Sequence, residues 1–119
     1  DDNFVNVPGS QPESYAERKQ RKRDEAQIRS EINKLKKHHE NIVLLSEEEI
    51  AKLEKEQKMI YEQLSAAAPG TDFAALQKRA SEIEKSLEDL AWKWEEASTA
   101  VEELDKECIK RIEALYAGE

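Results

Sequence analysis

From Phe73 onward the chain repeats one spacing without a miss. Apolar residues fall at Phe73, Leu76, Ala80, Ile83, Leu87, Leu90, Trp94, Ala97, Val101, Leu104 and Cys108, alternately three and four residues apart. On a helix that spacing gathers every one of them into a single narrow stripe, the seam of a coiled coil. A strand, whose faces alternate at every residue, would scatter them. Beyond Cys108 the step is four to Ile112 and three to Leu115. That is one stutter, which locally unwinds a supercoil.

A second, less regular stripe precedes it. Ile28, Ile32, Leu35, His39 and Ile42 keep the rule, and so do Ile50, Leu53, Gln57, Ile60 and Leu64, with Ser46 between the two groups. Two readings compete at Ser46. The stretch LLSEEEI fits a fresh helix start, with Ser46 as cap, Glu49 three residues on, and Leu45 and Ile50 as a hydrophobic staple. Alternatively the helix runs through and Ser46 sits in the seam. Between the arms, APGTD supplies two breakers: Pro69 cannot donate to a continuing helix, and Gly70 tolerates the left-handed backbone of a C-terminal cap. Thr71 or Asp72 suits the start of the next helix, and Gly118 its end.

If APGTD reverses the chain tightly, residues whose numbers sum to about 140 face each other. Leu64 then meets Leu76, Ile60 meets Ala80, Leu53 meets Leu87, Ile32 meets Cys108 and Ile28 meets Ile112. Ser46 meets Trp94, small against large, as close packing requires. This agreement favours the uninterrupted first arm. The fold class expected is all-α: a long antiparallel two-helix coiled-coil hairpin behind a flexible leader at 1–13. Arm one covers about 14–67, the turn 68–71 and arm two about 72–117, with 14–119 as one domain. Arms of roughly 45 residues make a rod on the order of 65–70 Å long. Gln57 in the seam is expected to help fix register, and Trp94 to be core.

Charge is uneven along this rod. Residues 14–45 hold nine Lys/Arg and five Asp/Glu, net +4, whereas 72–119 hold seven bases and thirteen acids, net −6, in a chain of net −8. Arg18, Lys19, Arg21, Lys22 and Arg23 place five positive charges in six residues. By the pairing arithmetic their partners would be numbered about 117 or above, so this segment is expected to project past the base of the hairpin. Phosphate binding is the functional reading, with Arg29, Lys34, Lys36 and Lys37 extending it along the same arm. The bland alternative is a solvated helix start, or pairing with the acidic second arm.

Trp92 falls opposite the seam and is a plausible contact for a protein partner. Ile109 and Tyr116 widen the apolar face near the base, for docking or for packing with Tyr15. Adjacent histidines His38 and His39 point about 100° apart on a helix, so no metal is expected. No Gly-rich phosphate loop, nucleophile–base pair or paired acids stand in the sequence, so neither an enzyme nor a cofactor is expected. No apolar run reaches the ~18 residues of a membrane span. The lone Cys108 suits a reducing, cytoplasmic setting. A monomeric hairpin is favoured, with self-association into a four-helix bundle as a further possibility.

Ser14 and Tyr15 with AERKQRKRDE, then PGTDFAALQKRASEIEKSLEDLAWKWEEAS with Trp94 and Glu95, resemble the C-terminal coiled-coil hairpin of ABC-F ATPases, the Uup-like members. The similarity spans residues 14–98. The first arm is longer than in that family, a further helical stretch follows the aromatic end, and no ATPase motif is present. The resemblance implies an accessory module of a translation-associated ATPase that touches DNA or ribosomal RNA, with the basic helix start carrying the contact. The alternative function is a structural spacer or a protein-interaction rod.

Overall fold

A computed structural model describes residues 14–117. The leader at 1–13 and the expected helix stop at Gly118 lie outside the described residues. Two helices account for nearly everything described: α1, Tyr15–Ala66, of 52 residues, and α2, Phe73–Ala117, of 45 residues. They pack against each other as an antiparallel hairpin 88 Å long and about 22 Å across. The rod exceeds the 65–70 Å expected because α1 is longer than 45 residues. At 1.5 Å per residue α1 alone spans about 78 Å.

No glycine or proline lies between Pro12 and Pro69, so nothing in the covalent chain interrupts α1. It runs unbroken through Ser46, which is 4% exposed. A new cap at Ser46 would need its hydroxyl free for the next turn, whereas here it fills a narrow place in the seam. The helix ends at Ala67, whose backbone is left-handed (φ 47°, ψ 42°) and whose N–H donates to the Gln63 carbonyl. The left-handed cap is therefore Ala67, not Gly70. Gly70 takes its positive φ of 84° within the turn itself. Thr71 closes the turn by donating its N–H (3.2 Å) and hydroxyl (2.6 Å) to the Ala68 carbonyl. Asp72 caps α2, its Oδ1 accepting from the Ala75 N–H at 3.0 Å.

The register follows the arithmetic. Trp94 bonds Glu47, Lys36 pairs with Asp105, Arg111 with Glu31 and Tyr116 with Glu25. In each case the two numbers sum to about 140. Arg79 reaches roughly one turn off register to make a two-pronged ion pair with Glu56, at 2.7 and 2.8 Å. Toward the tip, Leu53, Ile60 and Ile83 form the tightest core, flanked by Leu64, Leu76, Ala80, Leu87 and Leu90. Toward the base, Ile28 and Ile32 are buried.

Four seam expectations need correction. Trp94 is 38% exposed, not core: its indole swings aside to donate to the Glu47 carboxylate at 2.9 Å. Leu35 is 56% exposed, whereas the neighbouring Lys36 reaches α2 and meets Asp105 at 2.7 Å. Phe73, at the open tip, is 43% exposed. Gln57 sets no register across the seam; its amide donates along its own helix to the Tyr61 hydroxyl.

Candidate nucleic-acid interface

The basic run begins where the helix begins, and the start is firmly built. Ser14 and Glu17 form a reciprocal capping box: the Ser14 hydroxyl accepts from the Glu17 N–H at 3.1 Å, and the Glu17 carboxylate accepts from the Ser14 N–H at 3.0 Å. That second bond is the main reason the Glu17 carboxyl is held below the usual carboxylate range. Two orphan helix donors are thereby satisfied. Five basic side chains then follow on an ordered helix.

The nine basic candidates divide into two groups. Lys36 is committed to the hairpin: it sits between Asp105 and Glu40, its side chain 18% exposed, and the Asp105 carboxylate raises its pKa above the ordinary lysine value. The Arg21 guanidinium lies 4.8 Å from the centre of the Tyr116 ring. So the expected projection of the basic run beyond the hairpin is incomplete, since Arg21 is packed against α2. Arg29 pairs with Glu25 at 3.2 Å. Lys19 lies 5.9 Å over the Tyr15 ring, and Arg23 donates to Gln20. Arg18, Lys22, Lys34 and Lys37 form no ion pair among the described residues.

Helical spacing arranges these charges. Lys19, Lys22, Arg23, Arg29, Lys34 and Lys37 lie along the side of α1 turned away from the seam, on a stripe that steps by three or four through 19, 22/23, 26, 29/30, 33/34 and 37. Ala26, Ser30 and Asn33 run between them, and with Arg29, Lys34 and Lys37 they line a shallow groove. The three acids of the same stretch stand off this face. Asp24 accepts from Gln20, Glu25 is drawn inward to the Tyr116 hydroxyl at 2.7 Å, and Glu31 reaches Arg111. The Tyr116 hydrogen bond, then Arg29, holds the Glu25 carboxyl below its ordinary value. The result is a basic strip from Lys19 to Lys37, about 27 Å long, in which, among the described residues, only Arg29 is ion-paired, to Glu25 at 3.2 Å. Counting charges along the chain shows only net +4; counting them at helical period would have found the strip.

The expected partner-binding residues do not form one patch. Trp92 is 69% exposed and Ile109 58%. Seventeen residues of helix separate them, about 25 Å. Tyr116 is engaged by Glu25 and Arg21, not by Tyr15. A larger apolar feature, unforeseen from the seam count, lies at mid-rod. Leu44 and Leu45 are 59% and 64% exposed. On one flank a groove of about 520 Å³ runs between Ile42, Leu45, Leu90 and Ala100, with His38, Lys93 and Glu96 also in its lining. The opposite flank has a second, around Val43, Leu44, Trp94 and Val101. The signal was the run IVLL, four consecutive apolar residues that cover every face of a helix.

His38 and His39 stack edge to face at 5.2 Å, and among the described residues no three His, Cys, Asp or Glu are grouped to hold a metal. No described helix is long and apolar enough to cross a membrane. Comparison with known proteins finds no family model, no curated protein and no solved structure that matches this chain.

Proposed function

We propose that this chain is a non-catalytic helical hairpin that binds the phosphate backbone of DNA or ribosomal RNA through the outer face of α1. The observation that carries the reading is the strip from Lys19 to Lys37, from which Glu25 and Glu31 are turned inward toward α2. A cationic line on a straight helix acts by displacing the counterions condensed on nucleic acid. The resemblance to the ABC-F accessory hairpin points the same way and gives the reading its cytoplasmic, translation-associated setting.

Fluorescence anisotropy with labelled duplex DNA and structured RNA, at about 50 and 200 mM salt, tests it. With about five phosphate contacts, affinity should fall on the order of 10²–10³-fold over that range. Changing Lys22, Arg23 and Lys37 together to Glu should abolish binding, while Lys36→Gln, whose ion pairs with Asp105 and Glu40 lie within the hairpin, should leave it within about twofold. Absence of binding at low salt overturns the reading. The exposure of Trp92 favours the second reading, a protein-interaction rod, in which a partner would quench Trp92 fluorescence in a largely salt-independent way.

A further inference from the structure

We infer that α1 seats its outer face lengthwise in the major groove of a B-form DNA duplex, with Lys22 and Arg29 on the phosphates of one strand and Arg23 and Lys34 on those of the other. This rests on the phosphate-binding reading above and narrows it to one form of nucleic acid and one mode of contact.

The strip is two rows of cations with a low floor between them. Lys22 and Arg29 are seven residues apart and Arg23 and Lys34 eleven, and both intervals return to nearly the same side of an α-helix. The rows stand about a third of a turn apart around α1. Between them run Ala26, Ser30 and Asn33, all exposed, in the shallow groove that Arg29, Lys34 and Lys37 also line. These side chains are short, so the helix backbone can approach what lies opposite while the long cations reach past it on both sides. Groups a third of a turn apart, at the rim of a helix 10–12 Å in diameter or beyond it, are separated by roughly 10 Å or more. The major groove of B-DNA is about 12 Å wide and admits one α-helix. Ser30 and Asn33 then face base edges that offer donors and acceptors. Lys19 and Lys37 stand at the two ends of the floor, where a straight helix leaves a curving groove and a long side chain is needed to reach phosphate.

Nothing acidic stands between the rows. Glu25 and Glu31 reach Tyr116 and Arg111 on α2, and Asp24 bonds Gln20. Arg29 is shared with Glu25, yet a guanidinium has five N–H donors, enough for a carboxylate and a phosphate together. α2 packs on the seam side of α1, so only the outer half of α1 enters the groove. Other forms of nucleic acid fit less well. From Lys19 to Lys37 there is no Phe, Tyr or Trp on which the bases of a single strand could stack. An A-form RNA duplex has a deep, narrow major groove that side chains cannot read.

Anisotropy titrations of the full chain test the seating, using a labelled DNA duplex, an RNA duplex of the same sequence and the DNA single strand. At about 50 mM salt the DNA duplex should bind about tenfold or more tighter than either of the others. Lys22→Gln with Arg29→Gln, and separately Arg23→Gln with Lys34→Gln, should each lower the slope of log affinity against log salt by about two, because each row holds its own strand. Ser30→Trp fills the floor at an exposed position, so it should leave helicity unchanged and weaken the DNA duplex severalfold. Methyl green, a major-groove ligand, should displace the chain, and netropsin, a minor-groove ligand, should not. Equal affinity for the two duplexes, a loss confined to one row, tolerance of Ser30→Trp, or displacement by netropsin in place of methyl green each overturns the seating and leaves the phosphate-binding reading standing. No binding to any of the three at low salt overturns both.

Discussion

Ser46 and Trp94 share a level of the seam but not its interior. Ser46 is buried and Trp94 leans out to Glu47. Their common level is legible from spacing, because spacing reports where a Cα sits around a helix. The outward lean is not, because an indole N–H seeks an acceptor and Glu47 stands within reach. Lys36 is the same case: Leu35 holds the regular position, yet Asp105 draws the lysine stem across the seam's edge. Since space at Ser46 is tight, Ser46→Leu should overpack the seam and cost about 1–3 kcal/mol, seen as a lower melting temperature by circular dichroism. Tyr116→Phe removes the main bond that depresses the Glu25 pKa. A depressed carboxyl contributes stability above its unfolded pKa and loses it as pH falls through the folded value. The variant should therefore melt lower at pH 7, and the difference should fade as pH drops through the depressed Glu25 pKa, which lies below the ordinary carboxylate value. A difference that persists in acid would mean the hydroxyl matters through packing instead.

Helix boundaries depended on chemistry of two kinds. The α2 start was legible because Asp72 has the side chain that accepts from an early helix N–H. The end of α1 was not, because alanine at Ala67 gives no sign of a left-handed cap. Gly70, the obvious candidate, serves the turn three residues later. Ala67→Gly should accordingly stabilise the hairpin by about 0.5–1 kcal/mol, measurable in urea as a higher midpoint with unchanged slope. Destabilisation would show that the turn needs the stiffness alanine gives the unfolded chain. At the other end the Ser14–Glu17 box holds the first turn of the basic segment. Ser14→Ala should speed amide exchange there several-fold and leave the exchange of residues near Ile60 unchanged.

On the scale of the whole rod, composition and spacing together carried most of the architecture, since a long two-helix seam leaves few alternatives. The mid-rod grooves were the exception: a seam count records what one stripe buries and is silent about the remaining faces. The pairing of residues that sum to about 140 also says how such a rod tolerates changes of length. Insertions and deletions should come in mirrored pairs about Gly70. Removing 53–59 together with 81–87 takes one heptad from each arm, keeps both stripes in phase and should give a rod about 10 Å shorter that still melts in one transition. Removing 53–59 alone slides α1 by seven positions past α2 and parts Glu47 from Trp94, Lys36 from Asp105 and Glu25 from Tyr116 at once. The tip therefore works as a mirror plane for the chain's history of gaps. A length difference confined to one arm of a homologue would mark a place where the two helices no longer touch.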